Sequence, residues 1–201
     1  MYLIKVKKPF SHPSYLNHLT MTYFQFFDLP VSFYLDEKLL KKRFLLNSKK
    51  YHPDFYTLES EEKQAEILDI STQNNQAYKT LSNFDSRMKY ILIGKGILEE
   101  EGKNSIPQNF LMEVMEIQEA IMELEFGFDE KAYNQANQSV SILEQGLQTD
   151  VQPILESYKE ENSTDEELKK VKDFYLKRKY LWRIKENLNR FAPASPKGAT
   201  M

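Results

Sequence analysis

The chain has 201 residues, 41% of them apolar, and a formal charge of −3. That length allows one domain of moderate size or two small ones with a real core, and the near-balanced charge gives no electrostatic reason to expect nucleic acid. Zero cysteines exclude disulfides, thiolate catalysis and thiolate-bound metal, and no apolar run approaches the roughly 20 residues that span a bilayer.

Only six glycines and no sustained alternation of apolar and polar residues argue against a large sheet, whereas helix-period stripes recur along the chain. An all-α fold is expected. Lys5, Lys7, Lys8, Pro9, His12 and Pro13 interrupt any apolar core of a signal peptide, so a soluble cytoplasmic protein is the default expectation, with neither membrane nor nucleic acid as partner.

Asp36 is a plausible N-cap, with Glu37 in the first turn favoured by the helix dipole. The helix it opens runs to Tyr51. Leu40, Phe44 and Tyr51 fall on one stripe, with Asn47 on the same line, while Lys38, Lys42 and Lys49 gather opposite and Arg43 and Lys50 flank them. Proline at position 53 removes a backbone donor and biases His52 away from helical dihedrals, so His52-Pro53-Asp54 forms a loop beside the basic face. A basic face on an arbitrary helix is usually just a solvated one. Its position next to this loop makes it a docking candidate.

His52 and Asp54 could also be read as an acid/base pair. Hydrolytic chemistry would further need a nucleophile, an oxyanion site or a metal cluster within reach. None can be pointed to, and no Gly-rich phosphate loop or metal-spaced His/Cys group occurs. No catalytic residue, metal ligand or cofactor is therefore assigned.

Ser60-Glu61-Glu62 opens a second helix to about Leu81, with Ile67, Ile70, Ala77 and Leu81 on its apolar stripe and Asn74 on the same line. Packed antiparallel on the first, it makes a two-helix finger whose end is the His-Pro-Asp loop. Asp85 to Ile93 predicts a shorter helix ended by Gly94 and Gly96, and the stretch Gly94 to Ser105 is the best linker candidate. Pro107 to about Phe126 is acidic and amphipathic, and Asp129 to about Gln148 predicts another helix, with Gly146 and Pro153 marking a break or kink near Thr149. Thr164-Asp165-Glu166-Glu167 fits a capping box that starts a final helix to roughly Phe191, followed by a Pro/Ala/Ser/Gly tail expected to be disordered. Three long helices suggest a small antiparallel bundle.

Within the acidic segment, Leu111 and Met115 are i,i+4 neighbours, and Met112, Glu116, Glu119 and Glu123 continue along an adjacent stripe. An apolar patch rimmed by carboxylates suits a partner with complementary basic residues. On periodicity alone, Leu111 and Met115 would instead be buried bundle core.

The first half resembles the J domain of co-chaperones that stimulate DnaK-type chaperone ATPases. The resemblance is carried by Tyr23-Phe24-Gln25-Phe26-Phe27-Asp28-Leu29-Pro30, by Leu40-Lys41-Lys42-Arg43-Phe44 leading to Lys50-Tyr51-His52-Pro53-Asp54, and by Asn75-Gln76-Ala77-Tyr78-Lys79-Thr80-Leu81-Ser82. Asn47 departs from the usual apolar residue, and Asn83-Phe84-Asp85 replaces a more usual Asp-Pro turn. Phe110-Leu111-Met112-Glu113-Val114-Met115-Glu116-Ile117-Gln118-Glu119-Ala120-Ile121 resembles the opening of the C-terminal domain in the HscB-type co-chaperones of iron–sulfur cluster assembly. The resemblance covers about residues 21 to 191. The lack of a CxxC module is similar to the bacterial form, and the lack of Gly/Phe-rich and zinc regions separates the chain from general protein-folding J proteins. A J-domain co-chaperone for a different client in general protein folding remains the alternative.

That resemblance implies an extension over 1–20, a J domain over 21–96, a linker over 97–106, a C-terminal helical scaffold-binding domain over 107–191 and a tail over 192–201. Met21-Thr22-Tyr23 immediately precedes the first J-like helix, so Met1 to Thr20 reads as an upstream start or a lineage-specific extension. His52, Pro53 and Asp54 would engage a DnaK/HscA-type chaperone ATPase, with Lys41, Lys42, Arg43 and Lys49 steering the approach. Leu111, Met112, Met115, Glu116, Glu119 and Glu123 would contact the iron–sulfur cluster scaffold protein. Phe174 or Tyr175 on the last helix would complete that patch, the register leaving both open.

Overall fold

A computed structural model describes residues 22–99 and 104–192. The proposed extension over 1–20, its alternative start at Met21, residues 100–103 of the linker and the tail from 193 lie outside the described residues. Among the described residues every regular element is helical.

Two units emerge from the packing. One takes the described residues up to Leu98 together with Leu155–Thr164, and the other takes Glu99–Ile154 and the residues from Asp165 onward.

The first unit opens with α1 (Tyr23–Phe26), fixed by a reciprocal cap in which Thr22 Oγ1 accepts from the Gln25 N–H and Gln25 Oε1 accepts from the Thr22 N–H. Phe24 and Phe27 are buried beneath it. Helix α2 (Glu37–Lys50) starts at Asp36, whose carboxylate accepts from the Leu39 N–H at 3.0 Å. Helix α3 (Glu61–Ser82) starts at Ser60 and buries Ile67, Ile70, Asn74, Ala77 and Leu81, the stripe read from the sequence. Phe44 of α2 stacks on Tyr78 of α3 with ring centroids 4.1 Å apart. Asn74 Nδ2 donates to the Phe44 carbonyl and to Ser48 Oγ, so a buried polar residue ties the two helices together.

Helix α4 (Phe84–Gly94) begins where the expected Asp-Pro turn is missing. Asn83 supplies the boundary instead, its side-chain oxygen accepting from the Ser86 N–H at 2.9 Å. The end is a left-handed turn: Gly96 has φ +69, its N–H reaches the Ile93 carbonyl, and the Ile97 N–H reaches that of Leu92. Arg87 of α4 is buried, with Nε donating to the Phe33 carbonyl at 2.9 Å and Nη1 donating to that of Leu81. It pins the loop before α2 to the end of α3, and burial lowers its pKa against the opposing effect of Glu37.

Residues 155–164, assigned from sequence to the C-terminal domain, group with this first unit. Tyr158 lies against Phe33 with ring centroids 4.6 Å apart, and Lys95 pairs with Glu160 at 2.9 Å.

In the second unit, the helix expected over Pro107 to Phe126 is divided into α5 (Gln108–Glu113) and α6 (Met115–Phe126). Val114 between them sits at φ −93, ψ −3, yet its N–H still reaches the Phe110 carbonyl and its own carbonyl still receives the Gln118 N–H. The apolar stripe therefore continues across the joint, and Phe110, Val114, Ile117 and Leu124 share one core. Of the break or kink expected near Thr149, helix α7 (Glu130–Ser157) excludes the break, since it runs through Pro153. Proline there forfeits the bond to the Thr149 carbonyl, while Val151 and Leu155 on either side are buried. Helix α8 (Asp165–Asn189) adds Leu181, Ile184 and Leu188 to the core that Ala136 and Val140 of α7 line. Gln118 hydrogen-bonds Tyr180 to join α6 and α8, and Lys185 pairs with Glu144 to join α8 and α7.

Candidate functional site

Tyr51 closes α2 with its N–H on the Asn47 carbonyl at 2.8 Å, and His52 takes the extended conformation that a following proline demands, φ −73 and ψ 124. Pro53 then opens a 3-10 turn, Pro53–Tyr56. The Asp54 N–H donates to His52 Nδ1 at 3.3 Å, and the Asp54 carboxylate lies 3.7 Å from the same nitrogen. Tyr56 Oη donates to the Lys50 carbonyl at 2.9 Å, while the Gln64 amide donates to the carbonyls of Thr57 and Glu59. The backbone of the turn is thus held from behind by α2 and α3. In front it is open, with the His52 side chain 50% and that of Asp54 82% exposed.

Lys41, Lys42 and Lys49 are exposed on α2, as the helical wheel requires. Arg43 differs. It is half-buried and its guanidinium meets the Asp28 carboxylate at 2.7 Å, so part of its charge serves the fold. Asp28 itself has φ +48, an uncommon conformation for a residue with a side chain, and Arg43 braces that turn. Sequence reasoning passed over Phe55 and Leu58, both exposed shortly after the His52-Pro53-Asp54 turn. Two aromatic residues directly after His-Pro-Asp were the available signal; the Phe55 ring lies 5.5 Å from the imidazole.

The second candidate surface lies on α5 and α6. Leu111 is 39% exposed and Met115 54%, and Met112, Glu116, Glu119 and Glu123 are exposed with them. The core alternative for Leu111 and Met115 is thereby excluded, because Phe110, Val114 and Ile117 fill the interior below. Phe174 and Tyr175 are corrections in the other direction. Phe174 is only 4% exposed and Tyr175 is also buried, so neither completes the surface patch. Helix α8 buries Leu168, Val171, Phe174 and Tyr175 in succession, and that apolar face is too broad for both aromatics to be spared. Among the described residues, no cluster of three or more histidine or carboxylate side chains is placed to hold a metal ion. No described helix is long and apolar enough to cross a membrane.

Comparison with known proteins bears on the family and the fold. Residues 106–189 match the family model described as the HSCB C-terminal oligomerisation domain. The co-chaperone protein HscB of Buchnera aphidicola is 37% identical over 122 residues, covering 60% of this chain and 70% of its own length. An HscB homolog from Vibrio atlanticus is 31% identical over 141 residues, covering 65% of this chain and 82% of its own. Among solved structures, HscB from Vibrio cholerae superposes with a TM-score of 0.63 at 28% identity, over 85% of this chain and 96% of that one. Human HscB gives 0.66 at 27% identity, over 85% and 82%. The chain belongs to the HscB co-chaperone family, with an all-α fold of an N-terminal J domain and a C-terminal helical bundle.

Proposed function

We propose that the protein stimulates ATP hydrolysis by a DnaK/HscA-type chaperone and delivers the iron–sulfur cluster scaffold protein to it for cluster transfer. His52, Pro53 and Asp54 dock on the chaperone's nucleotide-binding domain and interdomain linker. Lys41, Lys42 and Lys49 steer the approach to an acidic surface, with Arg43 contributing less because of its pairing to Asp28. Docking favours the chaperone conformation that hydrolyses ATP, a shift limited by differential affinity for its two states. Leu111, Met112, Met115, Glu116, Glu119 and Glu123 hold the scaffold, and tethering raises its concentration near the ATPase. The protein has no active site of its own in this reading.

The observation that carries it is the outward-facing His52-Pro53-Asp54 turn, braced from behind by Tyr56 and Gln64. The test is single-turnover ATP hydrolysis by the candidate chaperone, with this protein and the scaffold added separately and together. Each should accelerate hydrolysis alone and the pair more than additively. Unchanged chaperone turnover would end the co-chaperone reading, and a J-domain protein for another client would accelerate hydrolysis without binding the scaffold.

A further inference from the structure

Helix α6 is apolar on two opposite faces. Ile117 and Leu124 point into the core, with Ala120 and Ile121 packed beside them. At about 100° per residue, Met115, Glu119, Met122 and Phe126 fall within an arc of about 60° on the far side. All three apolar members of that arc are exposed, Phe126 to 93%. The bundle needs one apolar face of this helix, and it already has it. The second face continues from Leu111, Met112 and Met115, the surface assigned above to the scaffold, for a further two to three turns, about 16 Å from Met115 to Phe126.

Its charge is one-sided. From Asn104 to Glu130 the sequence holds seven carboxylates, Glu113, Glu116, Glu119, Glu123, Glu125, Asp129 and Glu130, and no lysine, arginine or histidine. Glu119 lies within the arc and divides it into two apolar pads, one at Met115 and one at Met122 and Phe126. Their centres are about two and a half turns apart, about 13 Å. Methionine side chains adapt to irregular partners, and an apolar pad ringed by carboxylates discriminates in favour of cations. Phe128, beyond Gly127, leans on Tyr133 with ring centroids 5.8 Å apart and so is held by its own unit.

We infer that Met122 and Phe126 form a second half of the scaffold-binding surface, and that the segment they receive carries a lysine or arginine between two apolar side chains. The basic group meets Glu119 while its neighbours occupy the two pads. This inference deepens the delivery role proposed above and rests on it.

The test uses the full-length protein and the purified scaffold in calorimetric titrations of the wild type, M122Q/F126Q, L111A/M115A and E119Q. Loss of two apolar anchors should weaken binding about tenfold in M122Q/F126Q and make its heat-capacity change less negative. E119Q should flatten the salt dependence of binding. Chaperone ATPase stimulation without scaffold should stay at the wild-type level in both. If L111A/M115A binds weakly while M122Q/F126Q binds like the wild type, the extension is wrong and the delivery role survives. A wild type that fails to bind the scaffold at all overturns both. Wild-type dimers in analytical ultracentrifugation that M122Q/F126Q dissolves, with scaffold affinity unchanged, would give the stripe to a second copy and overturn the inference.

Discussion

The Asp54 N–H donates to His52 Nδ1 across 3.3 Å, so a neutral imidazole accepting there carries its proton on Nε2. The Asp54 carboxylate, 3.7 Å from the same ring nitrogen, stands ready as a separate acceptor. A single turn therefore places an imidazole and a carboxylate side by side.

Replacing His52 by Gln should abolish stimulation of the chaperone ATPase. Glutamine keeps hydrogen-bonding capacity but swaps a ring oriented by the neighbouring N–H for a flexible chain, which removes the orientation that the proposed docking uses. The side chain is half-exposed, so circular dichroism melting should match the wild type, as should scaffold affinity. Stimulation by a folded H52Q protein would refute the docking role. D54N provides the companion measurement: stimulation should fall while the nitrogen shifts of His52 in NMR still report the Nε2–H form, since the bond to Nδ1 comes from the backbone.

The basic face should act on rate of encounter. Changing Lys41, Lys42 and Lys49 together to Gln should slow association with the chaperone severalfold at low ionic strength, with the difference vanishing once the Debye length falls to about 3 Å near 1 M salt. Stopped-flow association at several salt concentrations reads this out. R43Q should flatten the salt dependence less than a single lysine change does, because Arg43 already spends charge on Asp28. A larger effect for R43Q would mean that pair opens on docking.

Much of this was legible in the sequence because hairpin periodicity and caps are local signals. Asp36, Ser60, Pro53 and Gly96 each act within a few residues, and all four mark boundaries where the structure has them. Arg87 was not legible, since its acceptors are the carbonyls of Phe33 and Leu81 and a lone arginine on a helix reads as solvated. Arg43 was read as a free cation for the same reason, its partner lying fifteen residues earlier across a loop. Phe174 failed differently. Around Phe174 and Tyr175 the apolar residues of α8 fall on more than one side, so a 3.6-residue period does not show that both aromatics are buried. The passage of α7 through Pro153 was missed because burial of Val151 and Leu155 is tertiary and the cost of proline is local.

Stability should separate the proposed patch from the core beneath it. L111A/M115A should unfold in urea within about 1 kcal/mol of the wild type, because both side chains are already partly exposed to water. F174A should cost about 3–5 kcal/mol, the usual range for emptying a buried phenylalanine site. Scaffold binding should respond in the opposite order, falling in L111A/M115A and holding in whatever fraction of F174A stays folded. Equal destabilisation of the two variants would return Leu111 and Met115 to the interior.

Arg87 offers the sharpest test of the first unit's architecture. Its Nε and Nη1 satisfy two buried carbonyls from different segments, and its guanidinium lies 5.6 Å from the centre of the Phe84 ring. R87M keeps most of the volume but leaves the carbonyls of Phe33 and Leu81 without these donors, a loss of about 2–4 kcal/mol. R87K restores one cation and not the planar fork, so it should recover only part of that loss. The Phe33 loop leads directly into Asp36 and α2, so hydrogen exchange in R87M should quicken first at the start of α2, with the amides of the His52 turn following only as the whole unit opens. If R87M instead melts like the wild type, the loop must be held by Phe33 packing alone and the arginine is dispensable.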